Sequence, residues 1–226
     1  MTEKSFLDIE YNYNKIIENI ENAKQKSSRN DIIAVMAVTK TVDTDRINSA
    51  ISCGISLLGE NRVQEFLQKH ENYHNNCEIH FIGGLQSNKV KYIIDKVSMI
   101  HSVDSVKLAE EINKRAVSFG KVMDVLVEIN IADEDTKHGV SPERAEELLI
   151  EISEFKNIRV RGLMTIPPFN ENSESYFEKM QRLYESMKTS YNFDTLSMGM
   201  SGDYIEAIKY GSNIVRLGSA LFGYRN

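Results

Sequence analysis

Lys40 follows the longest apolar run of the chain, Ile32-Ile33-Ala34-Val35-Met36-Ala37-Val38, with only Thr39 between. A lysine so placed projects from the end of a buried strand into whatever cleft that end borders. Partial enclosure would favour the neutral amine, the form that condenses with an aldehyde to a Schiff base. The alternative is a lysine standing in water at a strand end. A second group of residues lies near the C-terminus. Ser197-Met198-Gly199-Met200-Ser201-Gly202-Asp203 precedes a short helical pattern at Tyr204, Ala207 and Ile208, and Gly218-Ser219 follows the last apolar run. Small residues let backbone N–H groups approach an anion, and serine hydroxyls add donors. The same residues also suit ordinary turns, with Ser201 or Asp203 as a helix cap. Arg216 suits a hydrogen bond to a ring nitrogen or a phosphate, or an ion pair with Glu60. Asn61, in Gly59-Glu60-Asn61-Arg62, suits a ligand contact or a helix N-cap.

Other polar residues carry weaker signals. Lys137, in Thr136-Lys137-His138-Gly139, is a second candidate lysine in a loop, although such a lysine is more often solvated. His80 reads as an ordinary barrel histidine. His70, His74 and His101 show no spacing with carboxylates that suits a metal, and no metal site is expected.

The elements that must position these residues follow a rhythm. Apolar or β-branched runs occur at 32–38, 56–59, 79–82, 99–103, 124–130, 161–166, 196–200 and 214–217. Amphipathic helical patterns separate most of them: Val106, Leu108, Ala109, Ile112 and Ala116; Ala145, Leu148, Leu149, Ile152 and Phe155, opened by Ser141-Pro142; and Phe177, Met180, Leu183, Tyr184 and Met187. Alternating strand and helix implies a parallel sheet, because parallel neighbours need a crossover. Eight such units predict an α/β protein with a (β/α)8 TIM barrel; a doubly wound open sheet is the alternative. A further helix, marked by Phe6, Ile9, Tyr13, Ile16, Ile17 and Ile20 and opened by Ser5 and Asp8, precedes the first strand. No Pro/Gly/Ser-rich linker divides the chain, so residues 1–226 are expected to form a single domain.

The barrel reading gives the polar residues a common address, since parallel barrels build their sites at the C-terminal ends of the strands and often seat a phosphate on the loops after strands seven and eight. Composition agrees with a soluble chain. Of the 226 residues, 41% are hydrophobic and 27% charged, and the formal net charge is −6. That balance argues against nucleic acid as the main partner, which needs clustered Lys and Arg. Cys53 and Cys77 form no CxxC pair, the N-terminus has no apolar signal core, and no run is long enough for a membrane span. A cytoplasmic monomer is expected.

The motifs AVTKT at 37–41, LGENRVQE at 58–65, HFIGGLQSNK at 80–89, RGLMTIP at 161–167, LSMGMSGDYIEAI at 196–208 and VRLGSALFG at 215–223, in this order, resemble the pyridoxal phosphate homeostasis (YggS/PROSC) proteins. The resemblance implies a fold-type III barrel like the N-terminal domain of alanine racemase, with pyridoxal 5′-phosphate as cofactor. It implies that Lys40 forms the internal aldimine and that Asn61 lies beside the cofactor. Ser197, Ser201, Gly218 and Ser219 would face the phosphate, and Arg216 the pyridine nitrogen. The chain departs from many relatives at Val42 and Asp43, where they carry a second lysine followed by proline, and at Gly83-Gly84, where they carry Gly-Pro.

The resemblance points to a protein that holds the cofactor and buffers or delivers it, with apoenzymes dependent on it as possible partners and no catalytic residues. An amino-acid racemase is the alternative. It would need an acid–base group on each face of the cofactor, and in alanine racemase the second is a tyrosine from a separate domain that is not expected in this chain. A cofactor-free aldolase using Lys40 is a third reading.

Overall fold

The structure is a computed structural model describing residues 3–75, 77–134, 138–168 and 172–223, with backbone alone for residues 3–7. Strands β1 (Ala34–Val38), β2 (Leu57–Glu60), β3 (Glu78–Phe81), β4 (Met99–Val103), β5 (Met123–Ile129), β6 (Ile158–Thr165), β7 (Thr195–Met200) and β8 (Ile214–Leu217) pair in sequence order. All pairings are parallel, and β8 returns to β1 to close the barrel. The open-sheet alternative is excluded. Helices α1 (Glu3–Lys26), α2 (Thr44–Ser52), α3 (Val63–Lys69), α4 (Val106–Ser118), α5 (Ala145–Ser153), α6 (Ser173–Tyr191), α7 (Tyr204–Lys209) and α8 (Ser219–Phe222) surround it, and a 3-10 segment, Ser87–Tyr92, makes the crossing from β3 to β4.

Each expected apolar run overlaps a strand; the bounds of β4 and β8 agree and those of the others shift. Ile32 is 87% exposed and β1 starts at Ala34. The α3 helix is too short for a clear apolar period. The α2 helix is started by its cap, Asp43, whose side chain accepts from the Arg46 N–H at 2.9 Å. Ser141 is followed by a 3-10 turn, Pro142–Arg144, before α5 begins.

Strand alternation divides the apolar residues into two sets. Met36, Val38, Leu57, Ile82 and Ile214 form one cluster inside the barrel, and Met99, Leu126 and Met164 form another. Residues of the opposite parity, such as Ala37, Leu58, Phe81, Ile100, Val125, Leu163 and Val215, join the helices in the outer shell. There the Phe177 side chain is fully buried, which stabilises the fold by about 2–3 kcal/mol.

The extra helix α1 has a definite task. Ile9, Ile16 and Ile20 are buried, and two of its asparagines reach the last short helices. Asn12 Nδ2 donates to Leu221 O at 3.0 Å, and Asn19 Nδ2 to the Tyr204 hydroxyl at 2.9 Å. Arg46 of α2 adds a bond to Phe222 O. Helices α7 and α8 directly follow the two C-terminal loops, so α1 braces both. Among the described residues no helix is long and apolar enough to cross a membrane.

The β5–β6 pair carries a register shift between Val125 and Leu126, opposite Val160 and Gly162. Gly162 has φ +153°, and a Cβ there would lie 1.8 Å from Thr195 O of β7. Only glycine lets β6 approach β7 this closely. Gly162→Ala is therefore expected to lower stability by about 3 kcal/mol, read as a fall in the urea unfolding midpoint; an unchanged midpoint would show that the wall yields there.

Candidate active site at the barrel mouth

Lys40 stands two residues beyond the end of β1 at the C-terminal mouth of the barrel. Its side chain is exposed, so the enclosure expected from the apolar run ends at Thr39, which is fully buried. The Thr39 hydroxyl donates to Glu60 Oε1 at 2.7 Å, and the Tyr73 hydroxyl donates to the same oxygen at 2.6 Å. Glu60 has the parity of Leu58, on the helix side of β2. Burial pushes its carboxyl above the usual carboxylate range, against the lowering effect of the Tyr73 and Thr39 hydrogen bonds.

Glu60 is consequently no partner for Arg216, and that ion pair is not formed. Arg216, on β8, is 3% exposed. It donates to Ser197 Oγ at 2.8 Å and to Thr165 O at 2.8 Å. Burial lowers its pKa to about 10, with Glu128 and Asp203 opposing, and the guanidinium stays charged at neutral pH. Ser197 is fully buried within β7 and serves Arg216.

Ser201 lies in the β7–α7 loop. Its Oγ accepts from the backbone N–H groups of Gly218 and Ala220, both at 3.1 Å. Two donors at the start of α8 thus converge on one oxygen, with Ser219 between them in sequence. Neither polar residue of the β7–α7 loop caps α7 with its side chain, contrary to the turn reading: Ser201 is engaged as described, and Asp203 Oδ1 accepts from the Met200 N–H at 2.7 Å. Asn61 is no N-cap either. The residue before α3 is Arg62, which makes no side-chain cap. The Asn61 Oδ1 is buried with no hydrogen-bond partner among the described residues.

The β1–β8 pairing sets Met36 opposite Arg216, so Lys40, Arg216, Gly218, Ser219 and Ser201 gather on one side of the mouth, with Asn61 after neighbouring β2. Lys137 lies outside the described residues. Two features were missed in the sequence. Ile166, directly after β6, leaves 40% of its surface exposed at the mouth. Glu128, on β5, is 7% exposed, and burial with the nearby Asp104 raises its pKa to about 7, opposed by Arg216. Glu128 could have been found as the charge inside the apolar run Val125-Leu126-Val127-Glu128-Ile129, whereas Ile166 reads as one more apolar residue at the end of its run.

Lower in the barrel, His80 Nδ1 and His101 Nε2 share a hydrogen bond of 2.9 Å. Burial lowers the His80 pKa to about 4 and holds His101 well below the usual histidine range. Both are neutral imidazoles, in line with a core role for His80.

Residues 11–226 match the family described as alanine racemase, N-terminal domain. That defines the class: a barrel of the alanine racemase type. The pyridoxal phosphate homeostasis protein of Aquifex aeolicus is 45% identical over 218 residues, covering 93% of this chain and 96% of the relative. Its namesake in Escherichia coli is 35% identical over 228 residues, covering 97% of each. Among solved structures, PipY of Synechococcus elongatus with PLP bound is 28% identical with a TM-score of 0.79, over 91% of this chain and 100% of that one. An alanine racemase of Clostridium difficile, at 20% identity and TM-score 0.76, shares the fold over 96% of this chain and 57% of its own. The chain belongs to the family of pyridoxal phosphate homeostasis proteins.

The buried ionisable groups set opposite pH dependences. Glu128 has a folded pKa above its unfolded one, so its neutral form favours folding and that contribution is lost as pH rises from about 4.5 through about 7. For His80 the folded pKa is depressed, so stability is present above about 6.5 and lost as pH falls toward 4. Glu128→Gln is expected to be more stable than the parent at pH 8 by on the order of 2 kcal/mol, with the gain shrinking at pH 5. Urea unfolding at the two pH values checks this, and an equal gain at both would show that Glu128 does not titrate as described.

Proposed function

We propose that the protein binds pyridoxal 5′-phosphate at the barrel mouth, with its aldehyde held as a Schiff base on Lys40, and acts in intracellular homeostasis of that cofactor by buffering or delivering it. The observation that carries this reading is the pairing of β1 with β8, which brings the turn that bears the exposed Lys40 next to the strand of the buried Arg216 and two converging backbone donors. The names of its relatives and the PLP bound to PipY support the same cofactor.

The residues present fit the group. The N–H groups of Gly218 and Ala220 aim at one point, where a phosphate oxygen would replace or join the Ser201 hydroxyl, and Ser219 adds a further donor. Asn61 has a buried acceptor without a partner, suited to a polar group on the ring. Ile166 offers an apolar surface for a ring face. Arg216, oriented by Ser197, would meet the ring nitrogen.

When bound, the cofactor supplies an aldehyde and an electron-withdrawing ring. Arg216 limits that second property. A guanidinium keeps its protons at neutral pH, so it would donate a hydrogen bond to the ring nitrogen without protonating it. A weak electron sink beside an accessible amine favours storage and transfer over carbanion chemistry. That supports a carrier rather than a racemase, working as a single barrel domain and a monomer in the cytoplasm, with cofactor-dependent apoenzymes as recipients.

Purified protein mixed with pyridoxal 5′-phosphate is expected to gain a near-visible absorbance band, and borohydride reduction followed by peptide mass mapping to place the adduct on Lys40. Lys40→Ala should remain colourless while melting normally. An adduct at another lysine, or none, would overturn the assignment.

A further inference from the structure

Lys40 occupies the second position of a tight turn. The Val42 N–H donates to Thr39 O at 3.0 Å, and the third residue, Thr41, has φ +59°. Glycine is the usual occupant of such a position, and a β-branched residue there is strained. The turn therefore needs outside support. Helix α3 provides it with two side chains. Glu65 Oε1 accepts from the Thr41 N–H at 2.5 Å, at the residue that carries the strain. Lys69 Nζ donates to Thr39 O at 3.1 Å, to Val42 O at 3.0 Å and to Glu65 Oε1 at 2.7 Å. All three N–H bonds of that ammonium are thereby used. Both side chains are largely shielded, at 14% and 21% exposure, so water competes weakly for these bonds.

We infer that Lys69 and Glu65 are positioning residues for Lys40: an ion pair on α3 that grips the backbone on both sides of the lysine and holds its amine toward the mouth. The pair touches the turn's carbonyls and amide and leaves the Lys40 side chain free. A wall contact alone would not need an ammonium aimed at the two carbonyls that flank Lys40 and Thr41. The charge strengthens each bond, and its loss would release the Thr41 backbone toward negative φ, swinging the amine away. The functional consequence rests on the assignment of Lys40 as the cofactor lysine; the grip itself does not.

The test uses Lys69→Met, Lys69→Arg and Glu65→Gln in the full chain. The dissociation constant for pyridoxal 5′-phosphate, read from the near-visible band, is expected to rise about tenfold in Lys69→Met, with Lys69→Arg recovering most of the loss. In parallel, without any cofactor, limited acylation by acetic anhydride at Lys40 is followed by peptide mass against the exposed Lys179 of α6 as internal reference. The Lys40:Lys179 rate ratio is expected to change severalfold in Lys69→Met and Glu65→Gln and to return toward the parent value in Lys69→Arg. Parent-like affinity and an unchanged ratio in both variants would overturn the inference. If Lys69→Met does not fold, Glu65→Gln decides alone. Failure of the parent protein to take up the aldehyde would count against the cofactor assignment, while the acylation ratio would still decide the grip.

Discussion

The pairing of β1 with β8 is the constraint on which the site depends. Met36 lies opposite Arg216 in that register, and the strand rise of about 3.3 Å per residue carries each chain a short way past the pair. On β1 that brings the backbone to Lys40, and on β8 to Gly218 and Ser219. These residues are far apart in sequence and come together only when the last strand closes on the first. The site is therefore absent from any open intermediate of the sheet. A ligand bridging both loops would bind the closed barrel alone and so stabilise closure through mass action.

Closure also explains the polar interior. A guanidinium buried at this depth is costly to desolvate, and the barrel supplies it with a carbonyl from β6 and a hydroxyl from β7. The planar fork of arginine uses both directions at once, which a lysine ammonium would not do with the same geometry. Glu128 approaches from β5 with its pKa raised to about 7, and both it and Asp203 counter the effect of burial on Arg216. The histidines below remain neutral and add no cation to that balance.

Much of this was legible in residue order. Apolar runs alternating with helical patterns identified every strand, because a buried parallel strand reads as a continuous apolar run. Polar residues at the run ends then pointed to the mouth. Lys40, Arg216 and Ser201 stood out through their type and place relative to the strands. Their partners did not. The turn readings of Asn61, Ser201 and Asp203 rest on local hydrogen bonds, whereas the structure sends Ser201 to a loop 17 residues away and leaves Asn61 Oδ1 without a partner. Helix α3 escaped notice because it buries only Val63 and Phe66. The β5–β6 register shift was hidden because Gly162 is marked by what it approaches, Thr195 O, and not by its neighbours in the chain.

The two halves of the mouth are braced from outside the barrel, and from different directions. On one side α3 holds the turn of Lys40 through Glu65 and Lys69. On the other, α1 and α2 reach the carbonyls of α8, and Asn19 reaches Tyr204 at the start of α7. The strands deliver each loop to the rim, but loop conformation beyond the last ladder bond is set by these longer contacts. A helix that precedes the first strand is thus part of the site's support, because the loops after β7 and β8 run directly into helices of six and four residues, too short to be stable without packing against neighbours. The barrel sets where the functional groups emerge, and the outer helices set how they point.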